Sequence, residues 1–437
     1  MDRTGTKVET LEMSNSARTI GEGGGFFTGR RAAFLLASLF LVSVFAQIDR
    51  ISPFILAEAI KAELLLSDTQ IGLVTGIAFA ACYALLSLPM ARLCDQDSPR
   101  TVLLVCSIVW SAMTALGGLA TGFATLTASR FGVALGEAGA VPSSHALIAR
   151  KIRPERRGIA LGIFSMGIPL GTMVGFGAGG ALGEAYGWRA VLVGAGALGA
   201  SIGVLAFLAA GSMPRRETTE QTPSFLGASR ALLAVPAFRS LFIAAISIGF
   251  AAAPFYAFAA TFLIRTHALS ATQAGLAFGL LQGGLGIAGT LLGGRGFDSA
   301  VRSHARSLLR APAIAFFVAA VSTVAALFVP IRALSIGLMM PAMFALAFTL
   351  PFAFGAAHRV AGVGHEGMAS SLAMIASGLV GPALGPLIVG MISDGAADAG
   401  WDNGLSIALL LVPIACVVTA LTYHHADKRI GTLPLRV

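Results

Sequence analysis

The 437-residue chain is poor in charge: Asp, Glu, Lys and Arg make up 12% of it, where a water-soluble domain carries about 25%. A surface so short of charge cannot face water on all sides. A soluble enzyme, a soluble nucleic-acid binder and a disordered scaffold are therefore excluded. Cysteine is scarce too. Cys82, Cys94, Cys106 and Cys416 lie in or beside apolar runs, with no CxxC pair and no histidine at zinc-finger spacing, and read as small buried apolar side chains. Also missing is any stretch beyond residue 31 polar enough to coat a soluble domain.

What is present is apolar sequence: 56% of residues are hydrophobic and the mean hydropathy is +0.82, the composition of a polytopic membrane protein. A spanning helix needs about 20 apolar residues. Breaks at charges, prolines and glycine clusters place spans at 32–57, 68–92, 101–119, 125–149, 158–183, 188–210, 239–264, 271–294, 307–328, 333–357, 367–393 and 403–423. With the N-terminus in the cytoplasm, 24 of the 30 Lys and Arg residues fall on the cytoplasmic side and four on the other. That asymmetry explains the net charge of +9 without nucleic acid and predicts both termini inside the cell membrane. The richest anchor is Arg150-Lys151-Ile152-Arg153-Pro154-Glu155-Arg156-Arg157, a topology signal or a lipid-recognition loop.

The expected organisation is a disordered cytoplasmic tail (1–31), a six-helix bundle (32–211), a cytoplasmic central loop (212–238), a second six-helix bundle (239–423) and a cytoplasmic tail (424–437). The tail carries Arg3, Lys7, Arg18, Arg30 and Arg31 among Ser, Thr and Gly, too long a leader for a compact signal peptide. An internal repeat supports the division. Leu66-Ser67-Asp68-Thr69-Gln70-Ile71-Gly72-Leu73 recurs as Leu269-Ser270-Ala271-Thr272-Gln273-Ala274-Gly275-Leu276, six matches in eight at an offset of 203. Gly187-Trp188 recurs as Gly400-Trp401, and Pro169 of GIPLG pairs with Pro382 of GPALGP, both at an offset of 213. Two six-helix pseudo-repeats in one orientation give an all-α membrane protein of twelve transmembrane helices, the plan of transporters that rock about a central site.

These residues, with Asp49-Arg50 in the first span, Ala78-Phe79-Ala80 and LPMARLCD in the second, Arg130, Gly136-Glu137-Ala138 and Pro142 in the fourth, and GIPLG with Gly-Trp-Arg around the fifth, resemble the major facilitator superfamily and its spinster-like branch. The likeness spans residues 32–423 and implies the major facilitator fold. After the second span the superfamily's GxxxDRxGRR signature is matched only in part: Ala91 stands for the Gly and Gln96 for the Arg after Asp95, while Arg100 remains. The resemblance implies a transporter of lysolipids, sphingoid phosphates or related amphiphiles, with proton coupling in bacterial members. It also implies functional roles for Asp49, Arg50 and Glu137.

Asp49, Arg50 and Glu137 lie well inside predicted spans, and Arg130 lies about a turn and a half into the fourth. Each costs roughly 2.5–3.5 kcal/mol at the membrane centre unless paired or hydrated. Arg130 and Glu137 are seven apart and share one helix face, with Gly132 and Gly136 between them open to a neighbouring backbone. One reading is a coupling and substrate-head site, with Asp49 and Glu137 exchanging protons and Arg50, Arg130 and Glu137 meeting the head. The other is a permanent ion cluster tying the first span to the fourth. In the second half Gln282, Phe255, Tyr256 and Phe348 are candidates for an apolar wall around a tail, while the same rings could equally fill helix contacts. Asp95 and Arg100, with Asp298 and Arg302 in the second copy, are expected to gate the cytoplasmic side and hold the outward-open state. GIPLG and GPALGP mark places where helices bend or pack closely.

GxGxxG occurs at Gly175 to Gly180, Gly194 to Gly199 and Gly284 to Gly289, each inside a predicted spanning helix with no strand before it, so no dinucleotide site is read there. His145 and His365 form no metal pattern. No Ser-Lys or His-Asp set shares one depth, which argues against a membrane-embedded enzyme. The expected activity is proton-coupled transport of an amphiphilic, lysolipid-like solute by alternating access, with a multidrug exporter, an enzyme or a receptor as alternatives. No metal, cofactor or nucleic acid is expected; the partners are the amphiphile, protons and membrane lipids, and the working unit a monomer.

Overall fold

A computed structural model describes residues 26–96, 98–211, 225–303, 307–362 and 366–430. Much of the expected N-terminal tail, residues 212–224 of the central loop and residues 431–437 lie outside the described residues. The described chain is helical, with no strand among the described residues.

Among the described residues ten helices are long and apolar enough to cross a membrane. The longest, Pro154–Ala210, is two spans joined at Gly187, and the fourth span is broken into Phe123–Glu137 and Ala140–Lys151, so twelve spans result. The first is Gly29–Ile55; the second, Asp68–Thr75 with Ile77–Gln96; the third, Pro99–Gly118. The seventh is Pro236–His267, the eighth Ala271–Arg302, the ninth Arg310–Phe328, and the tenth Arg332–Phe348 with Leu350–Ala361. In the eleventh, Glu366–Ile375 passes through a π-helical turn, Ala376–Val380, into Gly381–Asp398, so the bend expected at GPALGP is a widened turn just before Pro382. The twelfth, Gly404–Ala408 with Leu411–Ile430, runs past the predicted end at 423. Tyr423, Ala426 and Ile430 are buried there, and Arg429 donates to the Pro236 carbonyl at 3.0 Å. Two short helices, Ala57–Leu64 and Phe225–Ala234, lie between spans.

The internal repeat encodes helix starts. Ser67 accepts from the Gln70 amide at 3.2 Å while its own amide donates to Gln70 Oε1 at 2.9 Å. Ser270 and Gln273 do the same at 3.2 and 3.3 Å. Both are reciprocal capping boxes that satisfy amides a helix leaves open. Ser67→Ala is expected to cost about 1 kcal/mol, read as a lower melting temperature in detergent; an unchanged melting temperature would show the cap to be dispensable. The second repeat is a turn. Gly187 and Gly400 hold φ of 80° and 78°, a region that favours glycine, and each turns the chain into a following span within a few residues.

The first and last described residues lie on one side of the bundle, here the termini side, where the Phe27 amide donates to the Lys151 carbonyl at 2.8 Å and Asp427 accepts from Ser307 and, at 2.8 Å, from the Leu309 amide. The two halves meet at the opposite, far side. There the second span packs on the eleventh and the fifth on the eighth, with Gly72 against Pro386, Gly390 against Asp68, Gly180 against Ala271 and Gly275 against Phe176. Buried apolar side chains tell the same story. One cluster mixes far-side residues of the first half, such as Ile55, Ile71 and Phe176, with the second half. The other, including Leu35, Cys82, Phe164 and Ala206, stays within the termini side of the first half. Among the described residues the halves are joined at the far side and parted toward the termini side.

Candidate functional site

Successive helical residues point about 100° apart, so Asp49 and Arg50 leave the first span toward different neighbours. Asp49 is buried and its Oδ2 accepts from Thr114 of the third span at 2.5 Å. Arg50 turns to the fourth span, where its Nη2 and Nε donate to Glu137 Oε2 at 2.7 and 3.2 Å. The Glu137 side chain is 1% exposed and that of Arg50 34% exposed, so Arg50 forms the open edge of the cluster. Arg130 reaches the first span from the fourth: its Nη1 lies 3.5 Å from the Asp49 backbone carbonyl. The arginine in ion-pair contact with a carboxylate is thus Arg50 on Glu137, and Asp49 is held by a hydroxyl, a pairing that sequence spacing alone could not assign.

Phe79 of the second span is close to both guanidinium groups, 4.8 Å from Arg50 Cζ and 5.2 Å from Arg130 Cζ, and Tyr83 stacks on it with 4.8 Å to Arg50. Cation–π attraction of both guanidinium groups to one ring offsets the repulsion of two like charges. The Gly132 and Gly136 stripe faces the third span, where added side chains would strike Met113 and Trp110; this close approach brings Thr114 to Asp49. Gln47, two residues before Asp49, donates to Thr172 of the fifth span at 3.0 Å. Three buried polar atoms of the cluster, Asp49 Oδ1, Glu137 Oε1 and Arg130 Nε, have no hydrogen-bond partner among the described residues. Buried atoms of this kind each cost about 1–3 kcal/mol, which a fixed structural ion cluster would be built to avoid.

The second-half candidates separate into three places. Tyr256 and Gln282 are half-buried and close to each other. Phe255 is 1% exposed and packs edge-on against Phe278, which meets Phe176 of the fifth span at 4.9 Å. Phe255 therefore belongs to an aromatic plug between the halves, and the expectation that it lines an open wall does not hold in this conformation. Phe348 stacks with Phe344 and Phe352 between the eighth and tenth spans. Of the four gate candidates, Arg100 donates to the Gly211 carbonyl and lies 3.9 Å over the Phe207 ring, both within its own half. Asp298 and Arg302 are exposed near the end of the eighth span. The side chain of Asp95 lies outside the described residues. Among the described residues no group of three or more His, Cys, Asp or Glu could hold a metal ion.

A second charged site escaped the sequence reading. Asp68, at the far-side start of the second span, accepts from Lys61 at 2.6 Å, from two Arg265 nitrogens at 2.7 Å and from Ser393 at 2.7 Å. Arg265 also forks onto Glu58 at 2.9 and 2.6 Å. Nearby Glu63 accepts from Trp188 at 2.6 Å and Arg189 at 2.7 Å, and these bonds hold its carboxyl below the ordinary glutamate value. In sequence these charges sit at span ends and look like solvated loop residues. The usable signal was Asp68 itself, the charged mismatch in the repeat.

With twelve helices in two matched halves about a buried charge cluster, the arrangement is that of a membrane transporter, and comparison with known proteins agrees. The profile of the Major Facilitator Superfamily matches residues 35–386, and the chain belongs to that superfamily. An MFS-type efflux pump of Mycolicibacterium smegmatis is 32% identical over 406 residues, covering 92% of this chain and 94% of the relative. A probable L-galactonate transporter of Escherichia coli is 28% identical over 209 residues, 47% of this chain and 46% of its own. A solved bacterial homolog to the human lysosomal transporter Spinster, inward-facing and unoccupied, superposes with a TM-score of 0.78 at 25% identity over 93% of this chain and 97% of that one. Within the superfamily the chain is spinster-like, a multi-pass membrane transporter and not an enzyme.

Proposed function

We propose that the protein is a proton-coupled secondary transporter that moves an amphiphilic, lysolipid-like solute across the cell membrane by alternating access. The observation that carries this reading is the buried cluster of Asp49, Arg50, Arg130 and Glu137, in which each carboxylate keeps one oxygen without a partner among the described residues. A carboxylate fully engaged in both states has no reason to change its proton; one half-engaged can take a proton or a solute group when its neighbours shift. The excess of Lys and Arg on the termini side makes that side cytoplasmic. The parted termini side then corresponds to an inward-open state. Asp95, Arg100, Asp298 and Arg302 are the residues we assign to the cytoplasmic gate that forms when the far side opens.

Charge is concentrated in the first half and apolar rings in the second, so the head is assigned to Arg50, Arg130 and Glu137 and the tail to the side of Tyr256, Gln282 and Phe348. The test is a proton flux in vesicles containing only this protein, driven by adding a lysolipid. Across a series of acyl chains, each CH₂ removed is expected to weaken binding by about 0.8 kcal/mol, or about fourfold. Affinity independent of chain length would remove the assignment of the tail. A second reading, a proton-driven multidrug exporter, is favoured by the likeness to the efflux pump over nearly the whole chain; it predicts resistance to several unrelated compounds on overexpression.

A further inference from the structure

The far-side closure has two seams built to one plan. At the first, Asp394 near the end of the eleventh span accepts from the Asp68 amide at 2.9 Å and from the Thr69 amide and hydroxyl at 2.8 and 2.6 Å. At the second, Glu184 near the end of the fifth span accepts from the Thr272 amide at 3.1 Å and from the Thr272 hydroxyl. Thr69 and Thr272 are the same position of the repeat. In each seam a carboxylate from one half therefore caps the N-terminus of a span in the other, where exposed amides and the helix dipole favour negative charge. Each capped helix also keeps its own serine box, Ser67 with Gln70 and Ser270 with Gln273.

The seams differ at the next residue. Where the second span has Asp68, the eighth has Ala271. Asp68 is buried and ties the first seam to Arg265 of the seventh span and Ser393 of the eleventh. Arg265 is bound as well by Glu58 on the short helix Ala57–Leu64. Parting the first seam separates opposite charges and strips Arg265 of two carboxylates. Parting the second seam undoes the apolar packing of Phe176 on Phe278 and Gly275, but among the described residues its polar contact is the Glu184 cap, which is already exposed to water, where such bonds are weak.

We propose that the far mouth opens by pivoting on the seam of the second and eleventh spans, with Asp68, Arg265 and Asp394 as the pivot residues, while the seam of the fifth and eighth spans parts first. This rests on the alternating-access reading above. The test uses spin-label distances in lipid nanodiscs, with the four native cysteines changed to alanine. One label pair, Ala62→Cys with Ala397→Cys, reads the first seam; the other, Leu182→Cys with Leu276→Cys, reads the second; all four positions are exposed. On acidification, or in Thr272→Val where the hydroxyl half of the cap is lost, the second pair is expected to gain a longer population while the first keeps its distance. Asp68→Ala, which gives both seams the same residue, is expected to release the first pair too. Equal lengthening of both pairs in the native sequence, or lengthening of the first pair alone, overturns the pivot and leaves alternating access standing. Constant distances in both pairs, in every variant, overturn the pivot and alternating access together.

Discussion

Proton-driven uptake by Asp49→Asn is expected to fall to the level of protein-free vesicles, while counterflow in the same purified sample continues. Asparagine keeps the size of the side chain and an oxygen that can accept from Thr114, the bond Asp49 makes at 2.5 Å. What it loses is the capacity to bind and release a proton. A carrier that must reload a proton to complete its cycle then stalls, whereas exchange of one solute for another never requires the empty carrier to return. Arg50→Ala is expected to damage both modes for a different reason. It leaves Glu137, 1% exposed, without its ion pair, and stranding one partner of a buried pair costs about 3 kcal/mol or more. Lysine at position 50 restores the charge but not the fork in which Nε and Nη2 share Glu137 Oε2, so it is expected to rescue yield more than transport. Proton-driven uptake retained in Asp49→Asn would move the coupling role to Glu137.

Gly72→Leu and Gly390→Leu are expected to abolish both uptake and counterflow by keeping the far side from closing. A side chain at Gly72 would strike the carbonyl of Pro386, and one at Gly390 the carbonyl of Asp68, backbone atoms that cannot rotate out of the way. Both lie in the seam of the second and eleventh spans. The spans themselves keep their caps and their packing within each half, so membrane insertion is expected to survive. A cysteine introduced by Tyr256→Cys should then react with a membrane-impermeant thiol reagent added from the far side. Gly284→Leu is the control, because nothing lies within 4 Å of an added Cβ there. Transport as fast as the native protein in Gly72→Leu would mean that the seam does not have to close as tightly as it does here.

Much of the architecture was legible because it rests on one-dimensional signals. Span length and the repeat each depend on residue type and spacing alone, and the repeat even marks the capping serines Ser67 and Ser270. The site was legible residue by residue but not as a set of pairs. Arg130 and Glu137 share a face by their spacing of seven, yet which carboxylate meets Arg50 depends on how three helices rotate about their axes. That rotation is set by Gly132 and Gly136 admitting the third span, and the spacing does not contain it. Thr114 had no signal at all, since a threonine in an apolar run is an ordinary spanning residue. The Arg265 network was hidden for the opposite reason: charges at helix ends are common, and only contact between residues about 200 apart distinguishes a seam from a solvated loop.

The four charged residues of the central cluster, Asp49, Arg50, Arg130 and Glu137, are two acids and two bases, so with all four ionised the site is electrically neutral. Binding a single proton to either acid turns the whole centre into a monocation, in surroundings that screen charge poorly. An anionic head and a proton would then invite each other and cross in company, whereas a cationic head and a proton would be rivals for one vacancy. The sign of the solute's head group, more than any moving part, would decide whether this carrier runs as a symporter or an exchanger.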